Sequence, residues 1–125
     1  MIFRSLEQIM DTARDVDWQH GRSRRLLLAV DGMGYAVADT LVDAGTASPL
    51  QYRNHLVSCY CIAGEGEIEF EGKRHPVAAG TFYAMNKHDA SVLHAKTDMR
   101  IVSIFNPPIL GTETHIFSGD SASSY

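Results

Sequence analysis

The sequence predicts an all-β barrel or sandwich with one short helix near its N-terminus, and three observations carry that reading. Apolar residues recur in short runs at the two-residue period of a strand, not at the 3.6-residue period of a helix. Turn signals built on glycine, asparagine and aspartate separate these runs at close spacing. The stretch Tyr52–Gly72 reads as a long strand, a tight glycine turn and a second strand returning antiparallel.

In chain order, Ser5-Leu6-Glu7-Gln8 has the pattern of a capping box, with Gln8 placed to reach back to the Ser5 backbone. A short helix is therefore expected over about residues 5–11, inside an N-terminal helical segment of about 1–14. Residues 15–23, DVDWQHGRS, are polar and irregular and are expected to cover a barrel mouth. SRRLLLAVD is a strand, Asp31-Gly32-Met33-Gly34 a hairpin turn, Tyr35 to Asp43 a strand, and Ala44-Gly45-Thr46 another turn.

In the central stretch His55, Val57, Cys59 and Cys61 share one face, and Leu56, Ser58, Tyr60 and Ile62 the other. Apolar side chains on both faces suit a strand inside a barrel. Ala63-Gly64-Glu65-Gly66 is the turn, and Ile68 and Phe70 alternate with Glu67, Glu69 and Glu71 on the return. Strands are expected over 73–77, 81–85, 91–95 and 99–105, the last one stopped by Pro107 and Pro108. The small polar tail, residues 119–125, is expected to fray.

At 125 residues the chain is long enough for one domain with a real core, and its 45% hydrophobic content argues against disorder. No apolar run approaches the roughly 20 residues of a membrane span. The acidic residues in MIFRSLEQIMDTARD and its lack of a long apolar run argue against a signal peptide. A formal charge of −4 leaves no footprint for nucleic acid or an anionic membrane. The only two cysteines, Cys59 and Cys61, sit on one strand face in a poor geometry for bridging, which fits a cytoplasmic protein.

The blocks MIFRSLEQI, SRRLLL, DGMGY, AGT, NHL, YCIAGEGEIE, GTFYAMNKHD and DMRIVSIFNPP follow one another at compact spacing. Together they resemble the ectoine synthases, over nearly the whole chain from Met1 to about His115. The resemblance implies a cupin jelly-roll barrel, a cytoplasmic homodimer, and an iron-type divalent metal. It also implies a lyase that closes N-γ-acetyl-L-2,4-diaminobutyrate to ectoine with loss of water. Such a cyclodehydration needs a polarised acyl carbonyl, proton donors and acceptors, and a substrate held folded away from water.

The family's metal is held by a glutamate in an H-L-E triplet, a tyrosine in a P-G-x-x-Y segment, and a histidine eight residues after that tyrosine. Here those positions are Val57, Tyr83 and Ser91, so Tyr83 alone keeps a family ligand. His55 is a candidate substitute, pairing with Tyr83 and with His94 or Cys59; the other reading makes it a hydrogen-bonded core histidine. By the same resemblance Tyr83, Ser103 and His55 are the candidate catalytic residues. Arg24, Arg25, Thr40, Phe105, Glu113 and His115 are the candidate substrate-binding residues. The chain departs from the family at Gly21, where a tryptophan is expected and Trp18 lies nearby, and at Ala38. It departs again at Ser103, which replaces a cysteine, and at Ile116 and Phe117, which replace acidic residues. One arginine of the Arg24-Arg25 pair should point into the barrel, towards a ligand anion or towards Glu113, and the other outward. Cys59 and Cys61 are read as small core residues.

Overall fold

Two antiparallel sheets face each other in the computed structural model, which describes residues 1–115, 117 and 123–125. The chain runs through helix α1 (Leu6–Ile9), β1 (Asp15–Asp17), β2 (Gly21–Leu27), a 3-10 turn (Ala29–Asp31), β3 (Ala36–Val42) and β4 (Ala47–Gln51). It continues through β5 (Leu56–Ala63), β6 (Glu65–Phe70), β7 (Lys73–Ala78), β8 (Phe82–Met85), β9 (Ala90–Ala95) and β10 (Met99–Asn106). A 6-stranded sheet has the order β1-β2-β3-β10-β5-β8, and a 4-stranded sheet the order β4-β9-β6-β7. The all-β jelly-roll expectation holds.

The capping box is present: the Gln8 N–H donates to Ser5 Oγ, and the Ser5 N–H to Gln8 Oε1. It starts only a short helix, which ends at Ile9. Beyond it the Asp31 carboxylate accepts from Arg4 and Arg14 and from the Leu28 N–H, tying the N-terminal segment to the turn after β2.

Three local expectations are overturned. Residues 15–23 are not irregular, since Asp15–Asp17 pair with Arg22–Arg24 as an edge strand. The sequence reading places no strand between Thr46 and Tyr52, yet β4 runs there; at the edge of its sheet the missing N–H of Pro49 costs no ladder bond. The central stretch is not a hairpin. β5 pairs with β10 and β8, whereas β6 pairs with β9 and β7, so the glycine turn carries the chain from one sheet to the other. Gly64 makes that corner: its φ is +90°, and a Cβ there would lie 2.1 Å from the Asp98 carbonyl oxygen.

The inner faces of the sheets carry the core. Along β5, Val57, Cys59 and Cys61 are buried, as their shared face requires. The opposite face is not buried as expected: Tyr60 (48%), Phe82 (62%) and Ile104 (43%) remain exposed on neighbouring strands of the larger sheet. Of the tail expected to fray, residues 119–122 lie outside the described residues, as do Ile116 and Ser118 before it. Tyr125, by contrast, is packed into the core.

Candidate functional site

A row of hydroxyl and thiol groups crosses the inner face of the larger sheet. Ser103 on β10 stands opposite Cys59 on β5, and Cys59 opposite Tyr83 on β8. In-register neighbours bring their side chains within about 5 Å of each other. The Cys59 sulfur lies 3.8 Å from Ser103 Oγ, and Tyr83 is its neighbour across the ladder on the other side. Thr40 on β3 extends the row, with its Oγ1 3.3 Å from Ser103 Oγ. Burial pushes the Cys59 thiol up to about 11 and raises the Tyr83 hydroxyl well above the usual phenol range, so both are protonated at neutral pH.

This row lines a cavity of about 40 Å³ whose other wall is aromatic. Phe105 and Tyr52 pack edge to face with centroids 5.9 Å apart, and His115 and Tyr125 stack at 4.1 Å. Burial, with Arg25 and His20 nearby, holds His115 down to about 4, so it is neutral, and its buried Nδ1 has no hydrogen-bond partner. Trp18 also lines the cavity, its indole N–H donating to the Leu41 carbonyl at 3.1 Å. At Gly21 a Cβ would lie 1.9 Å from that same carbonyl oxygen, so the indole expected at position 21 is supplied from position 18.

Behind the aromatic wall lies Arg25, fully buried. Its guanidinium donates to the Gly111 and Glu113 carbonyls and, at 2.9 Å, to the Tyr125 hydroxyl, while Nε has no partner. The contact with Glu113 is to its backbone, not the expected carboxylate ion pair. That carboxylate instead accepts the Leu110 and Gly111 N–H groups at 2.8 Å. Arg24 points outward as its partner's neighbour must, but not into solvent: Arg24 Nη2 and Arg100 Nη2 each donate to the Asp39 carboxylate at 2.6 Å. The Asp39 carboxylate makes burial of Arg24 tolerable, although the more exposed Arg100 shares it.

Of the candidate residues, then, Tyr83, Ser103, Thr40, Phe105 and His115 meet at one cavity. Arg25 stands one layer behind it, covered by Tyr125. Arg24 and Glu113 serve networks of their own. His55 does not reach the row: its Nδ1 donates to the Pro107 carbonyl at 2.7 Å, and its Nε2 lies 3.9 Å from Glu113 Oε2. His94, its suggested co-ligand, faces away from the cavity strand positions Ser91 and Leu93 and pairs with Glu69. The sequence does not single out Tyr52 or Tyr125, and it offers Cys59 only as a co-ligand of His55 or as core. The only signal for Cys59 was its shared face with Val57, which reads equally as core.

The residues do not fit the family's metal. Val57 is paired across the ladder with Met85, and Ser91 Oγ donates to the Met85 thioether at 3.7 Å. A valine, a methionine and a committed hydroxyl surround the place where a carboxylate and an imidazole are needed beside Tyr83. Among the described residues, no three His, Cys, Asp or Glu side chains stand close enough to share an ion. No described helix is long and apolar enough to cross a membrane.

The family model for ectoine synthase matches residues 1–124. The L-ectoine synthase of Halalkalibacterium halodurans is 51% identical over 116 residues, covering 91% of this chain and 90% of that protein. That of Desulfosudis oleivorans is 46% identical over 128 residues, covering 100% and 96%. Among solved structures, ectoine synthase from P. lautus superposes with a TM-score of 0.88 at 43% identity, covering 97% of this chain and 94% of that one. An RmlC-like cupin from Shewanella frigidimarina shares the fold at a TM-score of 0.70 and 18% identity, over 84% of this chain and 89% of that one.

Proposed function

The chain belongs to the ectoine synthase family, and from that premise we propose that its barrel takes N-γ-acetyl-L-2,4-diaminobutyrate or a similar acylated diamino acid and cyclises it with loss of water. The observation that carries this reading is the pairing of a neutral donor row with a buried arginine that has an unpartnered Nε. Arg25 is suited to the substrate carboxylate, since a buried guanidinium is stable only beside an anion or carbonyl oxygens. The row of Tyr83, Cys59, Ser103 and Thr40 faces the acyl group, where its hydroxyl protons stabilise charge growing on the oxygen. The aromatic wall excludes water and holds the chain folded, so that the amine lies near the acyl carbon.

Because the residues do not fit an iron-type ion, no step is assigned to one. The replacement of ligands at Val57 and Ser91, both beside Met85, also favours a second reading, a divergent cupin that binds a small solute without turning it over. The cavity, at about 40 Å³, has room for a few waters only, at about 10–15 Å³ each. A ligand must therefore displace Tyr125 to reach Arg25. The exposed apolar strip of Tyr60, Phe82 and Ile104 supports a homodimer built on the larger sheet. Its free buried thiols suit the cytoplasm.

The test is incubation of the purified protein with N-γ-acetyl-diaminobutyrate, following the product by proton NMR and binding by calorimetry. Appearance of ectoine supports the lyase. Binding without product selects the solute-binding reading, and neither result leaves the proposal standing if both are negative.

A further inference from the structure

We propose that the acylated diamino acid taken by this barrel carries a linear aliphatic acyl chain longer than acetyl, seated in an apolar cleft between the edges of the two sheets. The inference rests on the proposed cyclisation and specifies the substrate of that same site.

The register across the larger sheet sets the direction. Arg25 on β2 pairs with Ala38 on β3, Ala38 with Ser103 on β10, Ser103 with Cys59 on β5, and Cys59 with Tyr83 on β8. Partners in register share a face, so these five residues form one line across the inner surface. Adjacent strands lie about 4.8 Å apart, which makes the line about 19 Å long between its outer backbones. With the substrate carboxylate at Arg25, the acyl group points along this line towards β8. There the larger sheet ends, and β7 is the corresponding end of the smaller one.

The space at that edge is much larger than the cavity. A cleft of about 280 Å³ opens between β7 and β8 and shares Ile68, Tyr83 and Met85 with the cavity of about 40 Å³. Small-ligand pockets run from about 300 to 1,000 Å³. The cavity alone falls far below that range, and the two spaces together reach its lower end. Met85 lines both, and its unbranched thioether adapts readily to a chain lying beside it.

The lining selects hydrocarbon. Phe70, Val77 and Ala84 extend the wall beyond the shared residues. The polar groups among them are turned to local partners. Thr81 Oγ1 accepts the Ala78 N–H at 3.0 Å, Asp89 Oδ2 accepts the Asn86 N–H at 2.9 Å, and Ser91 Oγ donates to the Met85 thioether. A polar tail would break these contacts or lie unpaired, whereas an alkyl chain buries apolar surface against the walls. The chain is a substituent on the acyl carbon that the amine attacks. Its length therefore alters neither the bonds made and broken nor the water released.

The test measures binding and cyclisation of N-γ-acetyl-, N-γ-butyryl- and N-γ-hexanoyl-diaminobutyrate by calorimetry and proton NMR. At about fourfold in affinity per buried methylene, butyryl should bind about 15-fold and hexanoyl more than about 100-fold tighter than acetyl, with kcat/KM rising in the same order. Val77→Phe, which fills the cleft away from the Arg25 line, should abolish the preference for hexanoyl and leave acetyl as in wild type. In wild type the terminal methyl of bound hexanoyl should show nuclear Overhauser contacts to Val77 and Met85, a readout that stands even where Val77→Phe fails to fold. Affinity and turnover that are flat or fall with chain length overturn the cleft assignment and leave the cyclisation standing, as does a hexanoyl methyl in contact only with residues outside the cleft. Binding that tightens with length but yields no product supports the cleft and overturns the cyclisation. Absence of binding and of product with all three compounds overturns both together.

Discussion

Tyr125 occupies the position from which a ligand carboxylate would reach Arg25, and its removal should tighten binding. The residue is 3% exposed, its hydroxyl accepts from Arg25 Nη2 at 2.9 Å, and its ring stacks on His115 at 4.1 Å. A hydrogen bond from a charged donor is worth about 1.5–3 kcal/mol and an aromatic stack about 0.5–1.5 kcal/mol. Ordering the backbone of Tyr125 opposes this at about 1–2 kcal/mol. The net docking energy is then on the order of 1–3 kcal/mol. A ligand that must expel the ring is weakened by the fraction of protein with the ring out, so Tyr125→Ala should bind about 5–150-fold more tightly. Calorimetry with ectoine, on wild type, Tyr125→Ala and Arg25→Met, measures this directly. Tyr125→Phe, which keeps the stack and loses the hydroxyl, should fall between wild type and Tyr125→Ala. If Tyr125→Ala binds no better than wild type, the ring is a wall of the ligand site and not its occupant. If Arg25→Met binds as wild type does, Arg25 is not the carboxylate site.

Two further outcomes are expected. Burial holds the folded His115 near 4 against an ordinary value of 6.5, so the unfolded chain binds the extra proton first, and stability is lost as pH falls from about 6.5 to about 4. The loss by pH 4.5 is about 2–3 kcal/mol. Thermal melts should show it in wild type and not in His115→Phe, and parallel curves for the two would refute the assignment. The Asp31 carboxylate, held low by hydrogen bonds from Arg4 and Arg14, titrates below that window. On the outer face, Phe82→Glu combined with Ile104→Glu should convert a dimer to monomer in light scattering, with the melting temperature of the monomer nearly unchanged. A monomeric wild type, or a dimer that survives both substitutions, would rule out this face as the contact.

How much of this was legible in the chain depends on whether a feature is local. The capping box at Ser5–Gln8, the turn at Gly45, and the inward set Val57, Cys59 and Cys61 follow from neighbours in sequence, and the structure keeps them. The family could be read as well, because its scaffold blocks are contiguous segments. Pairing could not. Alternation states which face a residue takes but not which strand lies beside it, and the Gly64 corner sends β6 to the opposite sheet because the chain passes against Asp98, more than thirty residues away in sequence. Nor could alternation tell Arg24 from Arg25: Asp39 claims the first across the sheet, while Gly111 and Tyr125 claim the second from far along the chain. Cys59 looks the same in sequence whether it is core or cavity. Only the register that sets it between Ser103 and Tyr83 makes it part of a row, since hydrogen-bonded contacts across strands depend on distances that the tertiary fold alone creates.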